Sequence, residues 1–150
     1  MATRTYTTRR QGIVNALVIK LKQIDGSGNY HTNITENVEP RLKFWDEVEE
    51  FPAIHLNAGR ETREYLTGGI KNRFLTVTLR CYVNEEDAVD ALDALLEDVE
   101  TVLEDNSSMT YIDKLGETQT IQQITIFSIE TDEGVLEPLG VGEITIEVRY

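Results

Sequence analysis

The chain contains one cysteine, Cys81, so it can form no internal disulfide, and such sparing cysteine use fits a reducing compartment. Histidine is nearly as scarce: His31 and His55 stand in different segments, and neither belongs to a metal-binding pair such as H-x-x-x-H. Long apolar runs are also missing. Ala16 to Ile19 is the longest aliphatic run in the first helical segment, far short of a membrane span. Residues 1–11 are polar and basic and lack the apolar stretch of a signal peptide. There is no G-x-S-x-G, hence no nucleophile elbow. The Gly68-Gly69 pair lacks the lysine and following helix of a phosphate-binding loop. No internal repeat or low-complexity tract is visible.

Positive charge is the commodity most unevenly supplied. Residues 81–150 hold only Lys114 and Arg149 against 18 of the 27 acids, a net of −16. Residues 1–80 hold 12 of the 14 Lys and Arg against nine acids, a net of +3, which leaves the chain at −13. An acidic balance of this size opposes nucleic-acid binding, because phosphates meet repulsion over most of the surface. Its ordinary use is to keep a protein soluble. A mildly basic part joined to a strongly acidic part also supplies the material for head-to-tail contact between copies, which closes into a ring when the rotation allows.

At 150 residues the chain is expected to form a single domain, long enough to bury roughly 70% of its unfolded surface. Thr8 to Ile24 reads as a helix opened by a Thr8/Gln11 capping box, with Ile13, Leu17, Leu21 and Ile24 on one stripe. Gly26 to Asn29 stops it. In Tyr30 to Glu50, Ile34 and Val38 suit a short strand, and the Phe44-Trp45 pair is expected to be a satellite of the core. Phe51 to Asn57 alternates as a strand, with Pro52 at its start or edge. Arg60 to Asn72 reads as a polar turn or long loop. Arg73 to Val83 is the clearest strand, with Leu75, Val77, Leu79, Cys81 and Val83 on one face. Asn84 is the expected cap of a second helix whose buried stripe runs through Val89, Leu92, Leu96, Val99 and Leu103, widened by Leu95 and Val102. A poorly patterned link at Tyr111 to Glu117 precedes strands at Ile121 to Glu130 and Glu143 to Tyr150. The acidic segment Thr131 to Gly142 between them is expected to project. The order implies an α+β fold, a mainly antiparallel sheet flanked by two helices on one face.

Carboxylates are the only abundant chemical groups. Ten acids and no cation lie between Glu85 and Asp105, and those on the second helix are expected on the faces opposite its apolar stripe. The segment Glu130 to Glu137 lacks the D-x-D-x-D-G order of a calcium loop. No catalytic residue, metal site or cofactor is expected. The candidate residues are instead those of an interface. Arg4, Arg9 and Arg10 lie ahead of and on the first helix, and Arg60, Arg63, Lys71 and Arg73 flank the Gly68-Gly69 turn. These cations are the expected counterparts of Asp87, Asp90, Glu97 and Asp98 on a neighbouring copy.

The order and character of the segments resemble the tail terminator (tail completion) proteins of long-tailed bacteriophages, the group that includes the lambda minor tail protein U. A basic N-terminus leads into R-Q-G-I-V-N-A-L-V-I-K-L-K, and F-P-A-I-H-L-N-A-G-R-E precedes N-R-F-L-T-V-T-L-R-C-Y-V. The helix D-A-V-D-A-L-D-A-L-L-E-D-V-E-T-V-L follows at once, and a last strand closes the chain. The resemblance runs from about Thr8 to Tyr150. It implies a structural virion protein, similar in fold to tail-tube subunits, that forms a hexameric ring on the head-proximal end of the tail tube. Such a ring halts tube polymerisation and docks the head. The implied partners are other copies, the tube protein and a head–tail connector, with no membrane and no sequence-specific nucleic acid. Arg60 to Asn72 and Thr131 to Gly142 are the segments then expected at contacts. Other classes are another neck or tube component, a small acidic enzyme or cation-binding protein, and an adaptor that mimics nucleic acid with its acidic helix.

Overall fold

A computed structural model describes residues 7–150. Helix α1 (Arg9–Leu21) opens with the expected capping box: the Thr8 hydroxyl accepts from Gln11 N–H, and the Gln11 side chain accepts from Thr8 N–H. It ends three residues earlier than expected, although Ile24 is still fully buried in the turn that follows. Strand β1 (Val38–Glu39) and a single 3-10 turn (Trp45–Glu47) lead to β2 (Ala53–Tyr65). Then come β3 (Lys71–Asn84), α2 (Ala88–Asp105), β4 (Thr110–Ile112), β5 (Thr118–Thr120), β6 (Gln123–Thr131) and β7 (Leu139–Arg149).

Five strands form one sheet in the order β1-β2-β3-β7-β6, antiparallel except for the short parallel pair β1–β2. Strand β3 lies at its centre, as its strict alternation requires. Leu75, Val77, Leu79 and Cys81 are fully buried on one face, in register with Val148, Ile146, Ile144 and Gly142 of β7. Both helices pack on that face, and one hydrophobic cluster draws on α1, α2 and the sheet. Each aliphatic side chain buried there contributes about 1.5–3 kcal/mol. The opposite face, with Thr76, Thr78, Arg80, Thr145 and Glu147, is half-exposed. At one end of it His55 and Tyr82 are buried edge to face at 5.8 Å, and the Tyr82 hydroxyl donates to the Lys43 carbonyl. Burial pushes the His55 pKa down and that of Tyr82 up.

Several expectations are corrected. Arg60 to Asn72 is no loop: β2 and β3 stay paired through Tyr65↔Lys71, and only residues 66–70 turn. Its polar sequence has no apolar alternation because no helix lies behind that part of the ladder. Asn84 ends β3, and α2 is capped at Asp87 without a side-chain hydrogen bond. Val89 is exposed, while Asp98 replaces it on the buried stripe. Phe44 and Trp45 are 67% and 52% exposed, so they are no satellite of the core. The link after α2 holds the small β4–β5 hairpin. Thr131 to Gly142 projects less than its length suggested, because its two ends pair in the sheet. Asp132 accepts from Leu136 N–H at 3.1 Å and folds the remainder into a compact turn.

Gly12 explains how α1 accommodates that small hairpin. A Cβ at this position would run into the Ile112 carbonyl oxygen, so only glycine lets the β4 backbone lie against the helix.

Candidate functional site

The β2–β3 hairpin continues past the end of its neighbour in the sheet. Strand β7 accompanies β3 only as far as Phe74↔Arg149, after which Tyr150 N–H donates to the Arg73 carbonyl at 2.9 Å. Beyond Arg73, Glu64↔Asn72 and Tyr65↔Lys71 continue as a two-stranded arm without a third strand. Gly68 and Gly69, with φ of 85° and 80°, make the tip, and Leu66 N–H donates to the Ile70 carbonyl at 2.8 Å. Tyr65, Leu66 and Ile70 expose large apolar side chains there. The Lys71 ammonium sits 5.8 Å from the Tyr65 ring centroid.

The base of the arm is locked by a polar cluster. Tyr150 donates its hydroxyl to Glu61, which also accepts from Arg63 Nε at 3.0 Å, while the Arg73 guanidinium lies 5.6 Å from the Tyr150 ring centroid. Burial, then the hydrogen bond to Glu61 and its charge, push the Tyr150 hydroxyl up to about 12. Burial opposes ionisation of Glu61, but donation from Tyr150 and Arg63 outweighs it and holds that carboxyl below its usual range. On the far side of the strand Arg149 donates to Asn72 at 3.0 Å. The arm is therefore a braced projection.

The structure brings only some of the expected interface residues together. Arg60, Arg63, Lys71 and Arg73 do share the arm, with Arg63 committed to Glu61 and Arg73 half-buried under Tyr150. Arg9 is exposed at the start of α1, and Arg10 joins α1 to β2 by donating to the Gly59 carbonyl. Arg4 lies outside the described residues. Asp87 and Asp90 are exposed at the start of α2, which follows the other end of β3. The arm tip and this acidic end are separated by the 14 residues of β3, ~45 Å at ~3.3 Å per residue. Cations outnumber acids four to two over residues 60–73, whereas residues 84–90 hold four acids and no cation.

Glu97 is exposed and lies 3.6 Å from His31 Nε2. Asp98 does not belong to the acidic surface. It is fully buried and accepts the His31 and Thr32 backbone N–H groups, each at 2.8 Å. Its signal was in the spacing, since position 98 is three residues from Leu95 and four from Val102.

Two further surface features lie outside the expected interface residues. Phe44 and Trp45 stand out beside Asp46, Glu47, Glu49 and Glu50. On the other side of the sheet a groove of about 400 Å³ runs between α1 and β4, lined by Ala16, Ile19, Lys20, Tyr111 and Ile112. Among the described residues no group of three or more His, Cys, Asp or Glu side chains is placed to hold a metal ion. Cys81 is fully buried, and burial alone pushes its thiol up to about 12.

Comparison with known proteins gives this geometry a setting. A tail tube terminator protein of Escherichia phage T5 is 33% identical over 149 residues, which cover 94% of this chain and 92% of the phage protein. Among solved structures, a chain from the virion of the native gene transfer agent particle superposes with a TM-score of 0.55. That match covers 92% of this chain and 93% of the other at 7% identity, a likeness of fold alone. The family described as bacteriophage tail tube terminator protein matches residues 7–150, and the chain belongs to it.

Proposed function

We propose that the protein ends the phage tail tube. Its 150 residues act as one domain, six copies of which close into a ring on the head-proximal end of the tube. The ring stops further tube polymerisation and presents the surface that docks the head through a connector protein. The role is structural, performed in the virion tail after assembly in the host, and it asks for no catalytic group or cofactor.

The observation that carries this reading is the charge polarity of a chain in the terminator family. A basic, apolar-tipped arm stands at one end of β3, and the exposed carboxylates Asp87 and Asp90 follow the other. Surfaces that differ at the two ends of a molecule favour heterologous contact, the kind that generates rings. An acidic helix face also repels its own copy, which disfavours a symmetric dimer through α2. The arm residues Arg60, Arg63 and Lys71 are then contacts to the tube or an adjacent subunit, and the turn around the exposed Val135 faces a second neighbour.

Absolute mass by light scattering, free and on purified tubes with negative-stain imaging, tests the stoichiometry. A sixfold mass with annular particles, or a single ring on one tube end, is the expected result. A filament of this protein alone would mark it as a tube component instead.

A further inference from the structure

The Phe44-Trp45 turn exposes two aromatic side chains in acidic surroundings, the α1/β4 groove exposes Ile19 and Ile112 beside Lys20, and the two lie on opposite sides of the sheet. The turn is tied to the face that carries Tyr82, through the bond from the Tyr82 hydroxyl to the Lys43 carbonyl. The groove belongs to the helix-covered face. The sheet therefore separates a subunit's own turn from its own groove, but a second copy can supply the missing half.

We infer that in the assembled protein the Phe44-Trp45 knob of one subunit seats in the α1/β4 groove of the next. This rests on the ring proposed above and names one of its contacts. The knob is two large aromatic side chains on a single 3-10 turn, with no buried residue in that turn to account for them. A monomer gains nothing from leaving both in water, whereas aromatic anchors in pockets dominate interface energetics. The groove, about 400 Å³, is large enough for such an anchor. Its walls include Ile19 and Ile112, which are 63% and 50% exposed.

Charge fixes the pairing. Asp46, Glu47, Glu49 and Glu50 follow the knob, and of the two cations before it, Arg41 and Lys43, the second is paired with Glu39 at 3.3 Å, so its surroundings stay acidic. Lys20 lines the groove, Arg9 is exposed at the start of the same helix, and residues 9–22 hold no acid; Asp113, next to the β4 wall, is taken up by the Leu115 and Glu117 N–H groups. An apolar centre with an oppositely charged rim is the usual anatomy of a specific interface. The basic arm at the end of β3 is a poorer occupant, because its cations would meet those of α1. The contact is heterologous, since knob and groove are different surfaces, and so it suits a ring.

Trp45 is the only tryptophan, so its fluorescence reports this contact directly. Emission is recorded beside light-scattering mass in the same samples, free in solution and on tail tubes. Assembly accompanied by a blue shift is expected. Trp45→Ala and Ile112→Lys, both at exposed positions, should each weaken association by ~30-fold. Asp46→Lys with Glu47→Lys should weaken it too, and Arg9→Glu with Lys20→Glu in the same chain should restore it. A ring that assembles with Trp45 still in water overturns the inference and leaves the ring standing, with the groove free for the tube. Failure to assemble either in solution or on tubes overturns both.

Discussion

The carboxylate of Asp98 on α2 and the backbone of His31 are joined at 2.8 Å, and the same carboxylate takes Thr32 N–H at 2.8 Å with its second oxygen. One buried acid in a strongly acidic helix thus fastens the segment after α1 to α2. Hydrogen bonds to a charged group contribute about 1.5–3 kcal/mol each. Asp98→Ala is expected to cost about 3 kcal/mol and lower the midpoint by roughly 6–12 °C. Asp98→Asn, with one acceptor oxygen, should cost about half as much. Replacing the exposed neighbour Glu97 by Ala should change stability by under about 1 kcal/mol. Urea titration of the three variants checks the ranking.

Gly12 makes an opposite-sign test possible. In a free helix, Gly→Ala stabilises by about 1 kcal/mol. Here the new methyl meets the Ile112 carbonyl oxygen, a backbone atom that cannot swing away. Gly12→Ala is expected to destabilise by about 1–3 kcal/mol, and equilibrium unfolding reads the sign.

The Tyr150 hydroxyl, raised to about 12 in the native state, sets an alkaline limit on stability. A folded pKa above the unfolded value of about 10 means that the native state holds its proton longer. The contribution is complete below pH ~10 and is lost as pH climbs toward about 12. Burial raises Tyr30, Tyr82 and Tyr111 as well, and takes the Cys81 thiol to about 12. Stability should fall between those pH values, with a shallower fall in Tyr150→Phe. In the native protein at pH 8, Cys81 should resist thiol reagents and react only on unfolding.

Reversing charge on the arm separates folding from assembly. Arg60 and Arg63 are both exposed, and Tyr150 donates to the Glu61 oxygen that Arg63 does not use. Arg60→Glu with Arg63→Glu should leave the thermal midpoint within a few degrees of wild type while impairing tail capping. Normal infectious tails from this variant would remove both residues from the mechanism.

What the sequence disclosed follows from where a second layer lies behind the chain. Residues 75–83 alternate because helices cover one side of β3, and α1 and α2 show helical periodicity because each packs one stripe on the sheet. The arm was illegible for the converse reason: R-E-T-R-E has no apolar residue, and its half-buried Glu61 is held by a hydroxyl and a guanidinium, so its pairing leaves no apolar trace. Phe44 and Trp45 were misplaced because apolarity alone implies burial, and nothing local says that the turn faces outward. Asp98 was grouped with its acidic neighbours by composition, although its spacing from Leu95 and Val102 put it on the buried side. The family was visible in the order of segments. The polarity of charge was visible in their counts, but its arrangement along β3 was not.

The most direct test of the terminating role is the length of tubes grown from purified tube protein with and without this chain. Tubes that stop growing at one end, each carrying a single ring of the protein there, are expected. Tubes that elongate at an unchanged rate, or that take up the protein along their length, would contradict it.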